Sequence, residues 1–519
     1  MAFEDVQTEV RRGRDEKNAT RLVVSGGEAT LHPRFHDAVR YGKEIGYRWV
    51  QTVTNGQRLA DRDYLLAALD AGLDEITFSL HGHTPELHDR LTRTKNGFEN
   101  LMRAMVRALR LGRCVVNVDV CINKQNVEHL ESIVALCARV GVREFDLLHI
   151  IPQGVAFENR DELFYDVDAH ADTLRRVFRL GRHPDFHIWT NRFPVQHLEG
   201  MEELIQDPHK MLDEVGGRRR QFRRYLDAGT AIDCRDKSRC PHCFVEPFCS
   251  SLDRHIADRH AAAFTVWWVG ENHAVARLRP AGTKMLGLSS MAADDSLPAD
   301  IPVYLRADSF VGVILPPSSR AVATRVEHLE ELAEATCEVE VHLTREVCTA
   351  LSGRVIPNNW ILHAPTYLHA SESSALDPDY RSFFSSIPAG ARAQNIVACL
   401  APGARLEAAP RILDASLFHD TGELAIDAFV DHYVQNEYRA KSLRCSTCAV
   451  NARCPGAHLQ YLRAHGFRQL QPLSSPVPVP EFRTPRLRDA AAPQPVAPRI
   501  PIPGNSAVPF IDTAPGRRS

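Results

Sequence analysis

Seven of the thirteen cysteines stand in two tight clusters with related spacing. The first cluster reads C-x5-C-x2-C-x5-C and the second reads C-x2-C-x5-C. Two thiolates three residues apart in a turn can hold one metal ion or one edge of a metal cluster, and a third thiolate after a short loop reaches another corner. The residues concerned are Cys234, Cys240, Cys243 and Cys249 in the first cluster, and Cys445, Cys448 and Cys454 in the second.

A closed site needs a fourth ligand, which Cys234 supplies for the first cluster. The second cluster has no fourth cysteine nearby, and we predict that Cys399 completes it, because a distant residue can return to the same site in a fold. Zinc sites with four cysteines usually contain two C-x2-C pairs, whereas each group here contains one pair and more widely spaced thiols. The spacing favours a [4Fe–4S] cluster, with zinc and free thiols as alternatives.

Composition narrows the class of protein. The 519 residues include 44% apolar and 24% charged residues, and the net charge is −3. This length predicts about three folded units, and the charge argues against a nucleic-acid partner, which usually requires a basic domain. No run approaches the ~18 apolar residues of a membrane span, and the first residues are polar. We therefore expect a cytoplasmic protein with no membrane partner and with reduced cysteines.

The N-terminal part alternates between strand and helix patterns. Each apolar strand-like run ends in glycine or polar residues, and a helical pattern separates it from the next run. This alternation is typical of repeated βα units with a parallel sheet, in which sites form at the carboxyl ends of the strands. The predicted strands are 21–25, 49–54, 75–80, 115–122 and 145–151, and the predicted helices are 35–45, 64–71, 98–111 and 127–140.

The first predicted strand ends at Gly26-Gly27-Glu28, within the run Ser25-Gly-Gly-Glu-Ala-Thr-Leu-His-Pro33. Paired glycines let a ligand approach the backbone, although such turns also form for steric reasons alone. The run resembles the GGE-P-T-L-x-P segment of radical S-adenosylmethionine (radical SAM) enzymes. Further segments resemble the same superfamily in the same order, and they lie at 54–56, 79–82, 88–92, 97–99, 123–126 and 151–154.

The cysteine clusters resemble the SPASM or twitch extensions of that superfamily, which carry auxiliary [4Fe–4S] clusters. The ending Cys454-Pro-Gly-Ala-His-Leu-Gln-Tyr461 is similar to the close of such an extension. The resemblance implies an α/β fold, with an incomplete (βα) parallel barrel and cysteine-rich α+β extensions. It also implies S-adenosylmethionine and up to two auxiliary [4Fe–4S] clusters as cofactors.

The resemblance assigns roles to five residues. The GGE segment of the family contacts the amino group of the methionine moiety, so Gly26, Gly27 and Glu28 are expected to bind the cofactor. Ser79 and Asn123, at the ends of later strands, are expected near its carboxylate or ribose. No catalytic residue is assigned.

One departure from the family is decisive for activity. The catalytic C-x3-C-x2-C motif should follow a first barrel strand upstream of the GGE segment, but the first cysteine in the chain is Cys114. We expect either a start codon assigned too late, a remnant that has lost catalysis, or a second chain that supplies the missing part. Without the first strand, residues 22–24 would form an open sheet edge, which predicts instability or self-association.

Two functions remain open. The first is a radical SAM enzyme that generates a 5′-deoxyadenosyl radical and modifies a substrate, expected to be a peptide or protein, with an external electron donor. The second is a non-catalytic iron–sulfur protein for electron transfer or scaffolding, and a structural zinc protein is a weaker third reading. The predicted regions are a partial barrel, a first cysteine-rich region, a mixed α/β segment of unknown role, a second cysteine-rich region and a proline-rich disordered tail, at 1–195, 196–260, 261–395, 396–473 and 474–519.

Overall fold

The computed structural model describes residues 2–16, 18–276, 278–291, 301–316, 318–480 and 499–500. The chain divides into two compact units, Met1–Gln206 and Asp207–Ser519. The boundary lies 11 residues after the end of the partial barrel predicted from the sequence. Most of the proline-rich tail predicted at 474–519 falls outside the described residues.

The first unit contains six parallel strands in the order β1-β2-β3-β4-β5-β6. The five strands predicted from the sequence are all present, so the incomplete parallel barrel is confirmed. The sixth strand lies beyond the last strand predicted from the sequence. The strands are β1 (Arg21–Val24), β2 (Trp49–Thr54), β3 (Glu75–Ser79), β4 (Val115–Ile122), β5 (Glu144–His149) and β6 (His187–Asn191).

Helices connect successive strands of this sheet, as parallel pairing requires. Left-handed glycines end several of them: Gly112 and Gly141 cap the helices before β4 and β5, with φ of 61° and 113°. The helices are α1 (Phe3–Asp15), α2 (Phe35–Glu44), α3 (Arg62–Asp70), α4 (Pro85–Thr92), α5 (Gly97–Leu111), α6 (Leu130–Val140), α7 (Gly154–Glu158), α8 (Arg160–Leu163) and α9 (Ala171–Phe178).

Burial differs between the centre and the edges of this sheet. The central strand β3 is covered on both faces, with Ile76 and Phe78 fully buried. The edge strand β1 is partly open, and Val23 is 48% exposed. Trp189 on the opposite edge strand β6 is exposed to the same extent. The open edge predicted at residues 22–24 is therefore confirmed.

The second unit is built on a sheet of nine strands in the order β14-β13-β12-β11-β10-β9-β8-β7-β15, and each neighbouring pair is parallel. The sequence indicated only a mixed α/β segment here, without a topology. The strands are β7 (Val266–Gly270), β8 (Met285–Leu288), β9 (Val303–Leu305), β10 (Arg320–Ala323), β11 (Glu338–His342), β12 (Trp360–His363), β13 (Arg392–Gln394), β14 (Arg405–Glu407) and β15 (Ile412–Asp414).

The strands β16 (Arg439–Ala440) and β17 (Ala457–His458) pair in antiparallel orientation, and the second cysteine cluster lies in the segment of chain that connects them. Among the described residues, no helix has both the length and the apolar character that crossing a bilayer requires. The helices of this unit are α10 (Met211–Gly216), α11 (Arg219–Ala228), α12 (Glu246–His260), α13 (His273–Ala276), α14 (Val326–Glu331), α15 (Arg345–Leu351), α16 (Ala370–Leu376), α17 (Tyr380–Ser386), α18 (Ile426–His432) and α19 (Leu459–His465).

Candidate functional site

The backbone at Gly26 and Gly27 is open to a ligand. Both residues directly follow β1 at the carboxyl end of the sheet, and Gly26 has a φ of 121°, which disfavours any residue with a side chain. No atom lies within 4 Å of the position that a Cβ would occupy on either glycine. Space and exposed peptide groups are what close approach of a cofactor to a backbone requires.

The carboxylate of Glu28 is used within the protein. Its Oε1 accepts hydrogen bonds from the backbone N–H of Thr30 at 3.0 Å and from the hydroxyls of Thr30 and Thr54 at 2.6 and 2.9 Å. Its Oε2 accepts the N–H of Asn55 at 2.7 Å. Glu28 therefore ties the end of β1 to the end of β2 and holds the Gly26-Gly27 turn in place. Its contact with a cofactor stays a prediction.

Ser79 and Asn123 lie at the ends of β3 and β4, as predicted, but their side chains already have partners. Ser79 donates a hydrogen bond to Asp119. The Asn123 side chain accepts the N–H of Gln125 at 2.9 Å and donates to the carbonyl of Cys121 at 3.1 Å. Asn123 therefore stabilises the turn after β4, and a role for either residue at a cofactor stays a prediction.

Asp119 is a candidate that the sequence reasoning missed. It pairs in register with Ser79 and is partly buried, and its Oδ1 is shielded from solvent and has no hydrogen-bond partner among the described residues. Burial raises the pKa of this carboxyl to about 6, against the opposing effect of the Ser79 hydrogen bond. The available signal was the alternation of Asn117, Asp119 and Cys121 along β4, which places three polar side chains on one face of a buried strand.

The structure brings Cys399 to the second cysteine cluster. One small cavity is lined by Cys399, Cys445, Cys448 and Cys454, although Cys399 precedes the others by more than forty residues. Two backbone N–H groups point at thiol sulfurs: Gly456 lies 3.4 Å from Cys454 Sγ, and Leu473 lies 3.4 Å from Cys448 Sγ. Hydrogen bonds of this kind are typical around cluster-bound thiolates.

The first cysteine cluster lies next to two arginines. Cys249 is on the buried face of α12, while Cys234, Cys240 and Cys243 come from the loop before it. The Arg218 guanidinium lies 4.0 Å from Cys234 Sγ. Arg235 and Arg218 lower the pKa values of Cys249 and Cys243, respectively, although burial has the larger effect and raises both. These cations would offset the negative charge that bound thiolates introduce.

The arrangement of the thiols bears on the choice between zinc and a [4Fe–4S] cluster. Four thiolates around zinc stand about 3.8 Å apart, because the Zn–S bond is about 2.3 Å and the geometry is tetrahedral. Among the described residues, no three cysteine sulfurs lie within 4.8 Å of one another. A [4Fe–4S] cube holds its four thiolates further apart, and the choice between the two metals stays a prediction.

The cysteines of the first unit do not fit the catalytic cluster of the family. Cys114, Cys121 and Cys137 are separated by regular secondary structure and lack the C-x3-C-x2-C spacing. Burial raises the pKa values of Cys114 and Cys121 to about 11 and that of Cys137 to about 12, so all three remain thiols at neutral pH. Cys137 is buried, Cys114 and Cys121 are partly buried, and no catalytic step is assigned to them.

The second sheet also carries a cavity of about 1230 Å³. The side chains of Glu340, His342 and His363 line it, and so does Cys454 of the second cysteine cluster. The sequence reasoning found no catalytic motif between residues 262 and 395, and it missed this group because 21 residues separate its two histidines. Only the register of β11 and β12 brings them together.

Comparison with known proteins matches the first unit. Residues 1–137 match the family model of the radical SAM superfamily. A probable GTP 3′,8-cyclase of Saccharolobus islandicus (strain Y.N.15.51 / Yellowstone #2) is 33% identical over 145 residues, which are 27% of this chain and 46% of that protein. The corresponding protein of Sulfurisphaera tokodaii is 26% identical over 145 residues, which are 27% of this chain and 45% of the relative. The chain thus spans about half the length of the curated relatives it matches.

Solved structures overlap with a larger share of the chain, but at lower identity. Streptococcus suis SuiB bound to S-adenosylmethionine is 14% identical with a TM-score of 0.31, over 36% of this chain and 43% of SuiB. Native anSMEcpe with bound AdoMet and Kp18Cys peptide is 15% identical with a TM-score of 0.30, over 36% and 55% of the two chains. In the family match and in the order of its motif-bearing strand ends, residues 1–137 of this chain are similar to the radical SAM superfamily.

Proposed function

We propose that this chain is an iron–sulfur protein of the radical SAM/SPASM type, belonging to an enzyme that uses S-adenosylmethionine to modify a substrate. In this proposal Gly26, Gly27 and Glu28 bind the methionine moiety of the cofactor. Cys234, Cys240, Cys243 and Cys249 hold one auxiliary [4Fe–4S] cluster. A second auxiliary cluster is held by Cys399, Cys445, Cys448 and Cys454.

One observation carries the proposal. Cys399 and the C-x2-C-x5-C group at 445–454 line one cavity, although the chain between them passes through β14, β15 and α18. Four thiols in one cavity are the ligand number of a [4Fe–4S] cluster. The N–H groups of Gly456 and Leu473 give two of the sulfurs hydrogen bonds that a bound cluster would use.

The chain's own residues bind and orient, while the radical chemistry belongs to the cofactor when it is bound. The open peptide groups of Gly26 and Gly27 are suited to the amine and carboxylate of a methionine moiety. Glu28 fixes that turn against β2. Peptide or protein modification, an external electron donor and a cytoplasmic location complete the proposal.

Anaerobic reconstitution with iron and sulfide tests the cluster assignment. We expect about eight iron atoms per chain, four from each [4Fe–4S] cluster. Cys399→Ser should lower the iron content by up to half and change the electron paramagnetic resonance spectrum of the reduced protein. The matched control is Cys337→Ser, a half-buried cysteine beside β11 that is outside both clusters. Full iron content in Cys399→Ser, or equal losses in both variants, would contradict the assignment.

The non-catalytic alternative is an iron–sulfur protein for electron transfer or scaffolding, which would hold both auxiliary clusters without cleaving the cofactor. Two measurements separate it from the enzyme. Translation of the genomic DNA upstream of Met1 shows whether an in-frame strand and that motif precede the present start. Formation of 5′-deoxyadenosine by the reconstituted chain under reducing conditions reports cofactor cleavage directly. Cluster content without cleavage, together with an in-frame stop codon upstream, would favour electron transfer or scaffolding.

A further inference from the structure

Two histidines and one glutamate meet at the carboxyl edge of the second sheet. His342 and His363 are the last residues of β11 and β12, and they pair in register, so their rings stack with centroids 4.7 Å apart. Glu340 lies two residues before His342 and therefore points to the same face of β11. The carboxyl ends of parallel strands are where α/β sheets bind ligands.

The distances within this group suit a divalent metal ion. Glu340 Oε1 lies 3.1 Å from His342 Nε2 and 3.5 Å from His363 Nδ1, and all three atoms lie within 4.8 Å of one another. Metal–ligand bonds of about 2.1 Å place neighbouring ligand atoms about 3.0 Å apart in octahedral and about 3.4 Å apart in tetrahedral geometry. The two distances measured from the carboxylate match coordination, and an ion bound there would displace the Gln394 amide, whose Nε2 lies 2.9 Å from His363 Nδ1.

A set of outer partners holds the carboxylate in place. The Tyr304 hydroxyl donates to Glu340 Oε1 at 2.6 Å, and the Gln394 amide donates to Oε2 at 2.5 Å. Arg320 Nη1 lies 3.3 Å from Oε2, but this guanidinium also pairs with Glu338 at 2.6 Å. Outer partners of this kind orient ligand side chains and raise metal affinity. The sharing of Arg320 between two carboxylates limits the positive charge that opposes a cation.

Metal coordination requires neutral imidazoles and an ionised carboxylate. Glu340 is 1% exposed, so its carboxylate is held within the protein rather than in bulk solvent. The histidine side chains are 13% and 15% exposed, so each reaches the cavity through one edge.

We propose that Glu340, His342 and His363 form a binding site for one divalent transition-metal ion, of the zinc or ferrous iron class, separate from the cysteine clusters. Two imidazoles and one carboxylate are a recurrent ligand set for both ions, and they leave coordination positions open. In the metal-free chain His342 Nε2 donates to Glu340. The ion replaces that proton, which moves to Nδ1 of the same ring and leaves the imidazole neutral.

The open positions face the cavity of about 1230 Å³. This volume is above the usual range for small-molecule sites, about 300–1,000 Å³, so water or a ligand atom has room beside the ion. Cys454 lines the same cavity. A ligand bound at the metal would therefore share one chamber with the second cysteine cluster.

Calorimetric titration of the reconstituted full chain with zinc tests the site, because iron then occupies the cysteines. We expect one zinc ion per chain, and a rise in the thermal unfolding temperature with zinc concentration. His342→Gln and His363→Gln should each weaken zinc binding by more than the ~10–100-fold that loss of an outer partner costs. The matched control is His419→Gln, an exposed histidine of the same unit, which should bind zinc like the parent chain.

Tyr304→Phe keeps the test decisive if a ligand variant fails to fold. It removes only the hydroxyl that orients Glu340 and should weaken zinc binding about 10–100-fold. Absence of zinc binding by the parent chain would overturn the proposal and leave a buried polar network. Equal binding by the parent and the His342 and His363 variants would overturn it as well. Both results are read on chains whose iron content has been measured, so that zinc bound by empty cysteine groups is counted separately from zinc at this site.

Discussion

Ser79 and Asp119 lie opposite each other on adjacent parallel strands, and the Ser79 hydroxyl donates a hydrogen bond to the Asp119 carboxyl. The pair is at the centre of the first sheet, where burial raises the pKa of Asp119 to about 6. The folded protein therefore binds this proton more tightly than the unfolded chain does, whose carboxyl has its ordinary pKa of 3.8.

The stability of the first unit should consequently fall as the pH rises from about 4 to about 6, and this contribution should be constant above that range. Asp119→Asn removes the ionisation and keeps an acceptor for Ser79. We expect the variant to lack this pH dependence and to be more stable than the parent by up to about 3 kcal/mol at pH 7. Urea unfolding of both proteins between pH 4 and pH 8 measures the difference, and parallel pH profiles would contradict it.

Glu28→Gln should loosen the junction between β1 and β2. The glutamine side chain has one oxygen and one NH2 group. The NH2 would face either the N–H of Asn55 or the hydroxyls that now donate hydrogen bonds to the carboxylate, so at least one of these hydrogen bonds would be lost. We expect a local loss of about 2 kcal/mol, or about 30-fold faster hydrogen exchange in residues 50–56. Exchange measured by mass spectrometry tests this, with Glu44→Gln at an exposed position of α2 as the control. Unchanged protection in Glu28→Gln would show that the carboxylate does not hold the turn.

The open edge at β1 should promote association between chains. Val23 is 48% exposed on that edge, and a charged residue there disfavours edge-to-edge pairing. Val23→Lys should therefore shift sedimentation towards the monomer at a fixed protein concentration. Val155→Lys, at a residue that is 62% exposed on α7 and outside any strand, controls for added charge. A monomeric parent chain, or the same shift in both variants, would refute the role of the edge.

The ion pair between Arg235 and Asp253 should support the first cysteine cluster. The guanidinium makes two hydrogen bonds to the carboxylate, at 2.8 and 2.6 Å, and both side chains are nearly buried. Asp253→Asn leaves a buried cation without its counterion, which typically costs about 3 kcal/mol. Because Arg235 follows Cys234, we expect less iron per chain after reconstitution and a lower unfolding temperature. Asp233→Asn, at an exposed position one residue before Cys234, should keep the parent's iron content.

The first sheet was predicted well because the residues that end its helices are local signals in the sequence. Gly72, Gly112 and Gly141 adopt positive φ where helices α3, α5 and α6 end, and apolar strands follow within a few residues. β6 was not predicted from the sequence. Its strand, His187–Asn191, is short, lies at the edge of the sheet and alternates exposed and buried residues among many basic ones. The topology of the second sheet was not predicted for a related reason. Several of its strands, such as Val303–Leu305, contain only three residues, so their sequences show little periodicity.

The candidate sites also differ in how far the sequence alone could identify them. The cysteine groups and the GGE turn are contiguous in sequence, so spacing and resemblance identified them. Cys399 needed the further assumption that a distant thiol returns to the cluster, and the structure brings it to the same cavity. Asp119, Glu340 and the two cavity histidines became visible only through strand register, which depends on pairing across the sheet.

The last strand of the second sheet has a consequence for synthesis of the chain. β15 does not extend the sheet beyond β14 but pairs with β7, so Thr265 bonds to Arg411 across 146 residues. A nascent chain that has emerged only as far as β14 leaves the apolar edge of β7 unpaired while translation continues. Completion of this unit therefore waits for the segment that directly precedes the second cysteine group in the chain.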